Sequence, residues 1–297
     1  DKMQGIAGNY YAINDGEPEP VATAIQEHYL PKYSGDKLPS SLTACAVALA
    51  DRLDTIVGIF SIGQKPTGSK DPFAIRRASI SVLRILVEKS FNLDLRESLR
   101  LATVNYETKI TNADGVINDT FNYMIERFRA TYVDNNIPVE VFMSVAAKSL
   151  SNPYDIDRRV KAVDSFNQLP EAQALAAANK RVANILAKLE NDNVIKSTNE
   201  STIGLVDDSL LIDEAEKVLA KLIRTKEELV KPLFSQHQYK EALAILSSLR
   251  TPVDDFFDNV MVMADDSALK NNRLALLKQL RSLFLEVADI SLLVIPQ

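Results

Sequence analysis

The chain has 297 residues, enough for two domains that each bury a core, and a formal charge of −6 that excludes a uniformly basic nucleic-acid binder but not local basic patches. A single cysteine, Cys45, excludes an intrachain disulfide framework, and two histidines leave little material for a His-rich metal site or a Ser/His/Asp triad. No apolar run approaches the ~20 residues of a membrane span, and Asp1-Lys2-Met3-Gln4 has no signal-peptide layout, so a cytoplasmic protein without a membrane partner is expected.

Met3-Gln4-Gly5-Ile6-Ala7-Gly8 reads like the middle of a longer protein. Seven of the nine glycines fall within the first 68 residues, which predicts a loop-rich start and helix beyond. The first long stripe is Leu42, Cys45, Ala46, Leu49, Leu53, Ile56, Val57 and Phe60, expected to share one buried helix face with Cys45 as a small hydrophobe. Phe121, Ile125, Phe128 and Tyr132 form a second stripe, with Asp119 as its expected cap. Leu211, Ala215, Val218, Leu219 and Leu222 form a third, and Tyr239, Ala242, Leu243 and Leu246 a fourth. The strongest is last: Leu277, Leu280, Phe284 and Val287, flanked by Leu276, Leu283 and Ala288. Prolines 31, 39, 138, 153, 170 and 252 mark where stripes stop. No run alternates with period two, so the predicted class is all-α. The breaker-rich Ser149–Asp155 places a domain boundary there, giving residues 1–155 and 156–297. Lys196–Gly204 reads as an exposed loop.

Three segments hold residues with chemical potential. In Ala48-Leu49-Ala50-Asp51-Arg52-Leu53-Asp54-Thr55-Ile56 an aspartate interrupts an apolar stripe, which costs free energy unless it is paired. The segment resembles the closing helix of HD-type phosphohydrolases, where the aspartate is a metal ligand. No His-Asp pair exists here and His28 is the only upstream histidine, so the resemblance implies an HD-like fold with Asp51 as a vestigial position and no metal. Asp51 capping a helix or pairing with Arg52, Arg76 or Arg77 is the alternative.

The second segment is Ile62 to Arg77. It fails as a P-loop, since Gly63 and Gly68 have the wrong spacing, the lysine does not follow a glycine, and no strand precedes. It reads instead as a loop leading to a helix that Asp71 caps and Pro72 opens. Ser69, Lys70, Arg76 and Arg77 then meet a phosphate, or the arginines simply pair with Asp51 or Asp54. From Lys65 to Arg100 eight basic residues face four acidic ones. The third segment, the last 130 or so residues, contains Asn179-Lys180-Arg181-Val182 and Arg273-Leu274-Ala275-Leu276-Leu277 but no nucleophile with a base. Asp254, Asp255, Asp258, Asp265 and Asp266 lack calcium-loop spacing and are expected to cap helices or solvate loops.

Glu27-His28-Tyr29-Leu30-Pro31, Ala50-Asp51-Arg52-Leu53-Asp54-Thr55-Ile56-Val57-Gly58-Ile59-Phe60 and Pro66–Arg77 together resemble the beta subunit of bacterial tetrameric-type glycyl-tRNA synthetase. The tail, from Asn179-Lys180-Arg181-Val182 to Ala288-Asp289-Ile290-Ser291, is similar to the DALR-type anticodon-binding domain of that subunit and of arginyl-tRNA synthetase. The resemblance implies an HD-like helical domain followed by a DALR-type bundle in the C-terminal part of a beta subunit. It implies tRNA-Gly and the alpha subunit as partners, with ATP and Mg²⁺ used by alpha, no cofactor on this chain and no catalytic residue. The expected tRNA contacts are Lys70, Arg76 and Arg77, then Lys180, Arg181 and Arg273. An HD-type metal-dependent phosphohydrolase and a non-catalytic helical docking scaffold are the alternatives.

Overall fold

A computed structural model describes residues 3–67, 70–106, 109–191 and 205–294. Among them the chain is all-α, with thirteen α-helices, two short 3-10 turns and no strand beyond an isolated bridge between Thr67 and Lys70. It divides into two compact units, residues 1–135 with 151–155, and residues 136–150 with 156–297.

The first unit contains α1 (Ile6–Asn14), α2 (Glu19–Glu27), α3 (Leu42–Ser61), α4 (Ile75–Glu88), α5 (Leu95–Val104) and α6 (Ala113–Asp134). Helix α3 is its hub and packs against α2, α4, α5 and α6. Ser41 caps it, the hydroxyl accepting from the Ala44 amide at 3.1 Å. Its buried face is Ala44, Cys45, Ala48, Leu49, Arg52, Leu53, Ile56, Val57 and Phe60. This corrects the expected stripe: Leu42 and Ala46 face solvent, and the small Ala44 and Ala48 let neighbouring helices close in. Burial raises the Cys45 thiol pKa, with Lys89 opposing, and Sγ donates to the Pro39 carbonyl at 3.5 Å. At the start, Gly5 has φ +79°, and a Cβ there would stand 2.9 Å from the Gln26 carbonyl, so only glycine fits where α1 meets α2. Helix α6 begins six residues before the expected Asp119 cap. Asn112 accepts from the Gly115 amide at 2.9 Å and starts it there, while Asp119 pairs with Lys65.

The second unit takes α7 (Val139–Ala146), α8 (Pro153–Asn167) from residue 156 onward, α9 (Ala172–Asn191), α10 (Glu214–Ser235), α11 (Tyr239–Ser247), α12 (Arg250–Asn259) and α13 (Ser267–Leu285). The 3-10 turns Asp208–Leu210 and Ile290–Leu293 complete it. Contacts, rather than the breaker-rich connector, assign residues 136–150 to this unit. Helix α7 packs on the turn at Ile290–Leu293, the Asp289 amide donates to the Ser144 carbonyl at 2.9 Å, and Lys148 donates to the Leu285 carbonyl. The stripes on α11 and α13 are buried as read, and Phe166, Phe256, Phe284, Leu175 and Leu219 fill the centre. The stripe on α10 differs. Val218 is exposed while Glu216 is fully buried, because Glu216 turns back to cap its own helix. Pro252 does not end a helix. It lies in the first turn of α12, where its missing N–H would have no intrahelical partner. Asp266 caps α13, accepting from the Ala268 and Leu269 amides. The expected loop Lys196–Gly204 lies outside the described residues.

Candidate nucleic-acid-binding surfaces

In the first unit the motif around Asp51 folds opposite to expectation. Asp51 is exposed on α3, and its neighbour Arg52 is buried. A one-residue step on a helix rotates the side chain by about 100°, enough to exchange solvent for core. The Arg52 guanidinium donates to three backbone carbonyls, of His28 (2.6 Å), Ala48 (3.0 Å) and Leu30 (2.8 Å). It thereby ties α3 to the segment after α2. Burial lowers the Arg52 pKa, and Asp51 pulls the other way.

The metal chemistry of an HD site does not fit these residues. Among the described residues no group of three His, Cys, Asp or Glu side chains could hold an ion. His28 turns its Nδ1 to the Ala24 carbonyl at 3.2 Å and lays its ring 3.9 Å from that of Tyr29.

Asp71 caps α4 from one turn upstream, accepting from the Ile75 and Arg76 amides at 2.8 and 2.9 Å. Pro72 does not open the helix as expected. Pro72 and Phe73 form a turn, Ala74 takes a left-handed φ of 55°, and α4 starts at Ile75. Two of the first-turn amides are therefore occupied by the Asp71 carboxylate, whose negative charge disfavours an anion at that helix end. Lys70 and Arg77 are exposed and Arg76 half-buried, whereas Ser69 lies outside the described residues. Asp54 accepts from Tyr106 Oη at 2.9 Å and Asn105 at 3.1 Å. Among the described residues no carboxylate lies within ion-pair distance of Arg77. Several of the eight basic residues are partly neutralised: Lys65 by Asp119, Arg84 by Glu88, and Arg100 by Glu97 and Asp114. Arg96 lies over the Phe121 ring, 3.8 Å from its centroid.

A cleft of about 320 Å³ opens beside α3 and α4. Its walls include Tyr29, Lys32, Asp51, Arg52, Phe73 and Arg77. Of the sequence-derived candidates, only Arg77 and Asp51 line it.

In the second unit Lys180 is half-buried and Arg181 exposed on α9. Arg181 stacks on Phe257 of α12, its Cζ 4.3 Å from the ring centroid, which gives a cationic and aromatic surface of the kind that receives unstacked bases. Arg273 is corrected. It is 7% exposed, and Nε donates to Glu216 Oε1 at 2.5 Å, one terminal nitrogen to Asp213 at 2.9 Å and the other to the Met261 carbonyl at 2.8 Å. Glu216 uses its second oxygen to accept from the Ile212 and Asp213 amides at 2.8 and 2.9 Å. Arg273 is thus a cross-link inside the bundle, buried rather than presented at the surface. Its partners lie 57 and 60 residues away in the chain, a separation no local pattern encodes. The buried role of Arg52 and the cleft position of Lys32 likewise had no periodic signature.

Residues 1–147 match the family described as the glycyl-tRNA synthetase beta subunit, and residues 175–291 match the DALR anticodon binding domain. The chain is similar to proteins named "Glycine--tRNA ligase beta subunit". It is 53% identical over 291 residues to that of Marinobacter nauticus, covering 98% of this chain and 40% of the relative. To the relative from Pseudoalteromonas translucida it is 53% identical, covering 98% of this chain and 41% of that one. To the Coxiella burnetii relative the identity is 50%, with coverage of 98% and 41%. The chain spans about two fifths of the length of the curated relatives it matches. With half of its sequence identical to these relatives across nearly all its length, the chain belongs to the glycyl-tRNA synthetase beta-subunit family.

Proposed function

We propose that this chain is a tRNA-binding part of a glycyl-tRNA synthetase beta subunit. It supports the ATP-dependent attachment of glycine to tRNA-Gly that an alpha subunit, using ATP and Mg²⁺, catalyses in the cytoplasm. The observation that carries the reading is the succession, in one chain, of the beta-subunit match over residues 1–147 and the anticodon-domain match over residues 175–291. Among the described residues no helix is long and apolar enough to cross a membrane, and the partners proposed are RNA and protein.

Phosphate contacts supply most of the affinity in this reading, and contacts to unstacked bases supply specificity. Lys70, Arg76 and Arg77 are the proposed contacts in the first unit, and Lys180 and Arg181 beside Phe257 in the second. Binding of tRNA-Gly and of a non-cognate tRNA is measured across a salt series. The expected result is tighter cognate binding, with affinity falling steeply as salt rises. Equal, negligible binding of both RNAs at low salt defeats the reading.

A docking scaffold is a second reading, favoured by the exposed Tyr10, Tyr11 and Ile13 of α1, which are 67%, 71% and 55% exposed. Pull-down of the alpha subunit by the intact beta chain, with and without Tyr10→Ser and Tyr11→Ser, separates it from RNA binding. Unchanged capture removes it.

A further inference from the structure

The cleft beside α3 and α4 carries an electrostatic imbalance. Among the described residues three cations line it, Lys32, Arg52 and Arg77, against a single carboxylate, Asp51. Arg52 is 8% exposed, and all three of its hydrogen bonds go to neutral carbonyls. Carbonyls satisfy its N–H groups but do not cancel its charge, and a buried charge with no bonded carboxylate, offset only in part by the exposed Asp51, projects its field into the nearest cavity. Arg77 has no carboxylate within ion-pair distance among the described residues. Asp36, which is not part of the cleft lining, accepts from the Lys32 amide at 2.8 Å. One wall is aromatic: Phe73 is 45% exposed at the cleft, and Tyr29 lies deeper.

A site for a bare anion has no use for an exposed phenyl ring, and a site for an apolar ligand has no use for three cations. Both features suit a ligand that carries a phosphate next to a flat ring, and the volume accepts one such unit. We propose that this cleft binds a single nucleotide. The phosphate sits between Arg77 and Lys32 in the field of Arg52, and the base lies against Phe73. No bond is made or broken in this site. The nucleotide belongs either to an RNA strand or to a free mononucleotide. The RNA source rests on the function proposed above, whereas the nucleotide chemistry does not.

The probes are adenosine 5′-monophosphate and inorganic phosphate, titrated by calorimetry into the full-length chain. The expected result is saturable binding of the nucleotide, tighter than that of phosphate. Arg77→Ala weakens both by about tenfold or more, because a charge-assisted contact is lost. Phe73→Leu weakens the nucleotide about fivefold and leaves phosphate unchanged. Asp51→Asn tightens both about threefold by removing the repulsive carboxylate that lines the cleft, the opposite of its effect on a metal site. Lys32, Phe73, Asp51 and Arg77 are all exposed, so these substitutions remove no core packing.

Displacement of the nucleotide by tRNA-Gly assigns the site to RNA, and its retention assigns it to the free nucleotide; each supports the cleft. Absence of saturable binding, indifference to Arg77→Ala, or weakening by Asp51→Asn overturns it. If tRNA-Gly still binds in that event, the proposed function stands without the cleft.

Discussion

Arg52 in the first unit and Arg273, one of two buried arginines in the second beside Arg159, are treated in opposite ways. In the second unit Arg273 meets Glu216 and Asp213, so its charge is cancelled where it stands and the side chain works as a cross-link between α10 and α13. In the first unit Arg52 meets only carbonyls, so its hydrogen bonds are satisfied while its charge remains. The comparison teaches that hydrogen-bond satisfaction and charge compensation are separate accounts. A core arginine with acidic partners is silent toward solvent. One with neutral partners gives its neighbourhood a positive potential, and the cleft that also holds Lys32 and Arg77 lies within that neighbourhood.

The largest effect is expected from Arg273→Ala. It strands Glu216, which is 0% exposed, without its counter-charge and leaves a cavity, so unfolding of the second unit should move by about 3–5 kcal/mol in chemical denaturation. A loss under about 1 kcal/mol would mean that the cross-link is dispensable and the contrast between the arginines is false. Arg52→Met comes next. The methionine fills much of the volume but leaves the His28, Ala48 and Leu30 carbonyls without this donor, for an expected loss of about 1–3 kcal/mol. Arg52→Met should also weaken nucleotide binding in the cleft although its side chain need not touch the ligand, and unchanged affinity would show that the field argument fails.

The smallest effect is a difference in acid sensitivity. Burial pushes the Asp289 pKa up, but Arg281 at 2.7 Å and Ser291 outweigh it, and the folded carboxyl titrates below its usual value. A depressed folded pKa means that Asp289 contributes stability above the unfolded pKa, near 3.9. That contribution is lost as pH falls through the lower folded value. Arg281→Gln should therefore flatten the acid limb of the second unit's stability curve. Arg52 has no bonded carboxylate and couples only to the exposed Asp51, so the effect of Arg52→Met should change less between pH 3 and pH 7 than that of Arg281→Gln. Parallel shifts for both variants would remove this distinction.

Legibility from sequence followed contact range. The stripes on α11 and α13 were read correctly because a 3.6-residue repeat facing one core leaves its mark within a single helix. Asp71 was recognisable as a cap, since a carboxylate a few residues before a helix has few other roles, although the left-handed turn at Ala74 moved the helix start from Pro72 to Ile75. The buried face of α3 was misjudged by a small rotation, which exchanged Leu42 for Ala44 and made Arg52 the buried member of the Asp51-Arg52 pair. Lys70, Arg77, Lys180 and Arg181 remain at the surface as a binding role requires, while Arg273 does not.

By itself the sequence determined the all-α class, the position of the strongest helices and the family, because periodicity and motif residues are properties of neighbouring positions. The tertiary structure alone decided which charges are cancelled. Arg273 reads like any basic residue of a tail helix until Glu216 and Asp213, on another helix, close on it. Arg52 reads as the companion of Asp51 until folding buries it against the carbonyls that follow α2. Compensation of a charge depends on distance in space, and only the packed chain sets that distance.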